Sequence, residues 1–196
     1  MLHKPMNKNV YFLLVALLIS IIAQWSLGFG VDWLQYSRTD IQSGQWWRFI
    51  TGNWVHLTWR HWLMNALGLL AIISLYPNTL QIKSIWLALF WCCLAVTGGV
   101  WLLNPEIYMY VGLSGVLHGL LVVLIIADYS VNKHFLNLFL LFAVVVKLVW
   151  EGTQGPLPGS ESMAGGNVIV QSHLYGFVGG LGVAAYMFIF NKNKKL

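Results

Sequence analysis

Three observations predict an all-α membrane protein of six transmembrane helices with both termini cytoplasmic. Hydrophobic residues make up 58% of the 196-residue chain and charged residues only 9%, against roughly 25% charged in soluble domains. Six apolar stretches approach the ~20 residues that a helix needs to cross a bilayer. The lysines gather on one side of the topology that those stretches define. So few polar side chains cannot coat a water-facing domain, and the expectation is a single membrane domain over residues 1–196 with no soluble appendage.

The predicted spans are 10–27, 61–76, 82–103, 114–129, 135–150 and 168–190. Backbone groups in lipid must pair within their own segment, so apolar runs of this length form helices. The first span follows Lys4 and Lys8 as a signal peptide would. No small-x-small cleavage site follows it, and the chain runs on through Gln24, Trp25 and Ser26, so it reads as a retained helix. The second span is short and begins beside His56, Arg60 and His61.

Six crossings put both termini on one face. Seven of the eight lysines fall there (Lys4, Lys8, Lys83, Lys133, Lys192, Lys194 and Lys195) with one acid, Asp128. The other face carries Asp32, Asp40, Glu106, Glu151, Glu161 and the arginines Arg38, Arg48 and Arg60. Basic excess marks the cytoplasm, with the three arginines counting on the opposite side. The same clustering accounts for the net charge of +5, which is therefore no signal of nucleic-acid binding. Cys92 and Cys93 are adjacent in an apolar run, poorly placed for an ordinary disulfide, and read as small packing residues.

Two outer connections stand out. The first, 28–59, is long, and six of the eleven tryptophans lie between Trp33 and Trp62. Tryptophan favours the membrane interface, where its ring is buried and its N–H stays wet. This segment reads either as structure lying on or within the outer leaflet or as an ordinary aromatic belt. The last, 151–167, is rich in Gly, Pro and Ser and is not expected to form a helix. A mobile lid and a plain connector are both open for it.

Polar groups inside a membrane are costly and mark functional candidates. His56, His61, Asn65, Ser114 and His173 are such groups, and His118 is a sixth. Ser114 opens the fourth span, His56 and His61 bracket the start of the second, and Asn65 lies one turn further in. His173 is early in the sixth. All three spans run inward, so the five residues share a depth just below the outer surface. A serine hydroxyl needs an adjacent base to act as a nucleophile, and histidine is suited to that role. No acid lies near His173 in sequence, so a Ser-His dyad is the economical arrangement. The start of a helix at Ser114 favours negative charge, and His61 and Asn65, four apart on one helical face, can donate to an oxyanion. Gly115 with Gly119, and Gly176 with Gly180, give two helices small faces on which to approach closely.

Plainer roles exist for each group. Ser114 in isolation is an ordinary helix N-cap, and His56 a brace for its loop. His118, one turn after Ser114, is a rival base. Lys147 and Glu151 read as a structural ion pair. Four histidines leave haem or zinc binding open, although no His-Glu-x-x-His motif is present.

The motifs themselves resemble those of the rhomboid intramembrane serine proteases. Gly112 to Gly115 matches Gly-x-Ser-Gly, and His56 through His61 to Asn65 matches His-x4-His-x3-Asn. His173, followed by Gly176 and Gly180, matches the segment of the catalytic histidine, and Trp47-Arg48 the lead-in. The resemblance covers about residues 44–190. It implies Ser114 as nucleophile and His173 as base, with His61, Asn65 and the Ser114 N–H as oxyanion hole. His56, Gly112, Gly115, His118 and Gly176 would support them. It implies no metal or organic cofactor. The partners implied are the lipid bilayer and a protein substrate cut in or beside a transmembrane segment. His118 stands where many bacterial rhomboids carry Tyr. With the small size and the Lys147 to Glu151 run, this is similar to the rhombosortase branch. That branch is associated with removing C-terminal Gly-Gly-containing membrane tails from exported, type II secretion proteins in Gram-negative bacteria. It implies a multi-pass inner-membrane protein with its site near the periplasmic face. General rhomboid proteolysis of other membrane substrates is one alternative. An inactive rhomboid-like binder of membrane segments is another, against which the intact Ser114 and His173 argue.

Overall fold

The computed structural model describes residues 8–25 and 30–190. The long helices are α1 (Lys8–Trp25), α5 (Trp59–Leu75), α6 (Ile82–Leu103), α7 (Ser114–Asn132), α8 (Phe135–Gln154) and α10 (Gln171–Phe190). Short helices α2 (Gly30–Leu34), α3 (Arg38–Gln42), α4 (Arg48–Thr51) and α9 (Ser160–Ala164) lie in the connections. Strands β1 (Tyr36–Ser37) and β2 (Met109–Tyr110) pair antiparallel, Tyr36 opposite Tyr110. Among the described residues, α6, α7, α8 and α10 are long and apolar enough to cross a membrane. Helices α1 and α5, of 18 and 17 residues, overlap the first two predicted spans. The end of the first predicted span at residues 26 and 27, and Lys4, Lys192, Lys194 and Lys195, lie outside the described residues.

Helix ends move for local reasons. Thr58 caps α5 by accepting the His61 N–H at 3.1 Å, so this helix starts at Trp59 rather than His61. Helix α7 runs on to Asn132 and stops where Lys133 turns left-handed at φ 55°. Helix α10 begins at Gln171, leaving 168–170 outside it, and the Ile169 and Val170 carbonyls accept the Ser172 and His173 N–H groups in the turn that enters the helix. The expectation that 151–167 forms no helix is corrected. Helix α8 continues to Gln154, and α9 forms between Gly159 and Gly165, both at positive φ. The five residues between them contain no Gly or Pro, so the two glycines act as helix boundaries.

The long first connection folds around two buried arginines. Arg38 donates to the carbonyls of Val100, Trp101 and Asn104, each at 3.0 Å, and stacks 4.7 Å over the Trp101 ring. Those carbonyls lie at the end of α6, where the helix dipole favours a cation. Arg48 donates to the carbonyls of Asp32 and Gln35 at 2.7 Å and pairs with Asp40 at 3.2 Å. Trp33, Trp46, Trp47 and Trp59 remain exposed around this polar centre. The segment is therefore a folded unit with aromatic residues outside, and the β1–β2 pairing ties it to the chain entering α7.

Helix α7 is the central element, buried over most of its surface from Gly115 to Ile125. It lies against α10 at backbone contact. A Cβ on Gly115 would sit 2.6 Å from the Ser172 carbonyl oxygen, and one on Gly119 would sit 2.5 Å from the Gly176 carbonyl oxygen. Gly176 and Gly180 face the backbone of Gly115 and Gly119 in return. Cys92 and Cys93 are buried free thiols, and the Cys92 sulfur fills space beside Gly119. Helix α8 is the opposite case. Its buried residues are Asn137, Val144 and Glu151, a single stripe seven residues apart, with the remaining faces open.

Gly176→Val is expected to lower unfolding stability in detergent by about 3 kcal/mol or more, because its side chain must displace the Gly115 backbone. Gly112 has φ 121°, and a Cβ there would lie 2.9 Å from the His61 ring. Gly112→Ala should cost about 1–3 kcal/mol. Gly182→Ala, where a Cβ meets nothing within 4 Å, serves as the control and should stay within about 1 kcal/mol of the parent. Thermal unfolding of the purified proteins measures all three.

Candidate active site

Ser114 is the first residue of α7, and the N-cap position belongs to Leu113. Its hydroxyl therefore does not cap the helix. It points to α10, where the Oγ lies 2.8 Å from Nε2 of His173. His173 is the third residue of α10 and is buried. The glycine contact between the two helices brings these side chains together across 59 residues of sequence.

The approach to Ser114 is shaped from several sides. Gly112 adopts φ 121°, and its N–H donates to the Gly52 carbonyl at 3.2 Å. The Tyr110 hydroxyl donates to the Gly112 carbonyl at 2.7 Å. The turn into α7 is thus held by the first connection. A cavity of about 260 Å³ opens over Ser114, bordered by His61, Gln35, Leu57, Tyr110 and Ser172 and by Asn167 to Ile169. The segment ahead of α10 forms one wall. Thr58 donates to the Ala164 carbonyl at 3.3 Å and so links the start of α5 to α9 beside this cavity.

The remaining predicted residues divide. His61 borders the cavity with Ser114. His56 packs behind it, ring edge to face at 4.9 Å, fully buried. Both His56 ring nitrogens lack a hydrogen-bond partner among the described residues. Asn65 is buried one turn below, donates to the His61 carbonyl at 3.2 Å, and does not border the cavity. His118 lies flat against His173, rings 4.5 Å apart and 22° from parallel. Its Nδ1–H donates to the Ser114 carbonyl at 2.7 Å, so that nitrogen is committed to the backbone. Gly115 and Gly176 contribute through the helix contact alone.

One neighbour of His173 escapes sequence reasoning. Glu151 Oε2 lies 2.8 Å from Nδ1 of His173, and Lys147 Nζ lies 2.7 Å from Glu151 Oε1. Lys147 Nζ is also 3.3 Å from Nδ1. An acid is therefore in contact with His173, and the economy that favoured a two-residue arrangement no longer holds. The ion pair expected from the i,i+4 spacing is present. The signals in the sequence were a lysine inside an apolar run and an acid four residues on, at the end of that run. Among the described residues, no three His, Cys, Asp or Glu side chains are grouped to hold a metal ion.

With a serine, an imidazole and a carboxylate in line beside a cavity, the arrangement is one that activates a hydroxyl for attack on a carbonyl. The family model described as Rhomboid domain matches residues 43–190, which include every residue of this arrangement. No curated protein matches the chain. The match spans most of the sequence, and the chain belongs to the rhomboid family, whose members are intramembrane serine proteases.

Proposed function

We propose that the protein is an intramembrane serine endopeptidase of the rhombosortase type. In this reading the chain is one domain that crosses a Gram-negative inner membrane six times with both termini cytoplasmic and its site near the periplasmic face. The 2.8 Å contact between Ser114 Oγ and His173 Nε2 beside an open cavity carries the proposal. His173 takes the hydroxyl proton as Oγ bonds to the scissile carbonyl carbon. The oxyanion accepts hydrogen bonds from His61 and from the Ser114 N–H at the start of α7, with Asn65 bracing the His61 carbonyl one turn below. Collapse breaks the C–N bond, and His173 returns the proton to the leaving amine. Water, deprotonated by the same imidazole, then releases the acyl group as a carboxylic acid.

His118 supports the narrower assignment. An imidazole, rather than a phenol ring, stacks on His173 and bonds to the Ser114 carbonyl. The substrates proposed are exported proteins of type II secretion that carry C-terminal Gly-Gly-containing membrane tails.

Ser114→Ala and His173→Ala should each leave such a tail uncut on co-expression, a loss of at least about a thousandfold. The same variants should resist a fluorophosphonate probe that labels the parent. Processing by His173→Ala but not by His118→Ala would move the base to His118. A parent that labels and cuts other membrane proteins, but not Gly-Gly tails, would make it a general rhomboid protease. A parent that never labels would make it an inactive binder.

A further inference from the structure

We propose that Glu151 is a positioning residue for His173, completing a Ser-His-Glu arrangement, and that Lys147 holds the Glu151 carboxylate in place. The proposal rests on the protease reading above and extends it to residues otherwise explained as a structural pair.

The role of His173 depends on which of its nitrogens carries the proton. To accept from the Ser114 hydroxyl, Nε2 must be bare, so Nδ1 must carry the hydrogen. Two groups reach Nδ1: Glu151 Oε2 at 2.8 Å and Lys147 Nζ at 3.3 Å. An ammonium only donates. Were Lys147 the partner, the proton would sit on Nε2 and Ser114 would face a donor. A carboxylate only accepts, so the closer contact selects the tautomer that can take the hydroxyl proton. His118 cannot compete, because its Nδ1–H is committed to the Ser114 carbonyl and its ring lies on the His173 face.

The placement of the ion pair agrees with this role. A pair serving only to neutralise itself could lie on any face of α8. Instead the Glu151 side chain is 4% exposed and the Lys147 side chain 29% exposed. The acid is turned inward and the amine stays nearer the surface. Burying a carboxylate is costly unless it is paired and hydrogen-bonded. Here Oε1 pairs with Lys147 and Oε2 with His173. When His173 takes the Ser114 proton, the new positive charge forms against that carboxylate.

The test uses full-length protein in detergent, with the rate of fluorophosphonate labelling as readout and thermal unfolding as control. Glu151→Gln should slow labelling by at least about a hundredfold, since losing the acid of such an arrangement disturbs tautomer and orientation. Glu151→Asp should recover part of that rate. Lys147→Met should slow labelling less than Glu151→Gln does. The double variant Lys147→Met/Glu151→Gln, which restores neutrality, should stay slow. Folded Glu151→Gln labelling within about threefold of the parent would overturn the proposal, as would a double variant that regains the parental rate. Nitrogen-15 NMR of the parent, assigned with His173→Ala, decides the matter even if Glu151→Gln fails to fold. The proposal requires a proton on Nδ1 of His173, and a proton on Nε2 would overturn it. Loss of labelling in the parent itself would instead strike at the protease reading.

Discussion

Backbone-to-backbone contact between α7 and α10 is the constraint on which the rest of the molecule depends. Between helices in lipid there is little hydrophobic driving force, so close van der Waals packing must hold them together. Gly115, Gly119, Gly176 and Gly180 make that possible because each occupies a place where a Cβ would overlap the facing backbone. The consequence for the site is geometric. Ser114 and His173 are near the N-terminal ends of the two helices, and only at this separation can a short hydroxyl and an imidazole meet at 2.8 Å.

Much of the surrounding structure fixes the direction in which Ser114 points. The turn ahead of it needs the positive φ of Gly112, and that glycine is held by Gly52 and Tyr110. Tyr110 pairs across the two strands with Tyr36, which neighbours Arg38 and its anchors at the end of α6. The polar centre of the first connection thus reaches the nucleophile candidate through a series of hydrogen bonds. Such a site is preorganised by elements that do no chemistry themselves.

Helix α8 obeys a different rule. Only Asn137, Val144 and Glu151 are buried along it, and the two polar members of that stripe carry its most specific contacts. Asn137 accepts from the Tyr76 hydroxyl and donates to Asp128, both at 2.7 Å, near one end of the helix. Glu151 meets His173 near the other. Polar side chains paired in an apolar setting leave few alternative partners, so two such contacts specify the seat of a helix that buries little surface. The carboxylate beside His173 therefore rides on the least buried of the long helices.

The chain alone determined the elements and their likeness to a family. Apolar length forces helices wherever backbone groups have no water to bind, and that rule is local. The spacing of His56, His61 and Asn65, and of the glycines after Ser114 and His173, is local too, because it follows from 3.6 residues per turn. Where a glycine boundary or a cap set an end, as at α9 and at Trp59, reading by composition was off by a few residues or missed the helix. Partnerships across the fold were decided only in three dimensions. Asn65 turned to the His61 carbonyl rather than the cavity, and His118 to a backbone oxygen and a stacked ring. Lys147 already accounted for Glu151 at i,i+4, which hid its second oxygen's contact with His173 across 22 residues. A carboxylate has two acceptor oxygens, and sequence spacing on one helix accounts for only one of them. The other finds its partner only when separate helices are packed.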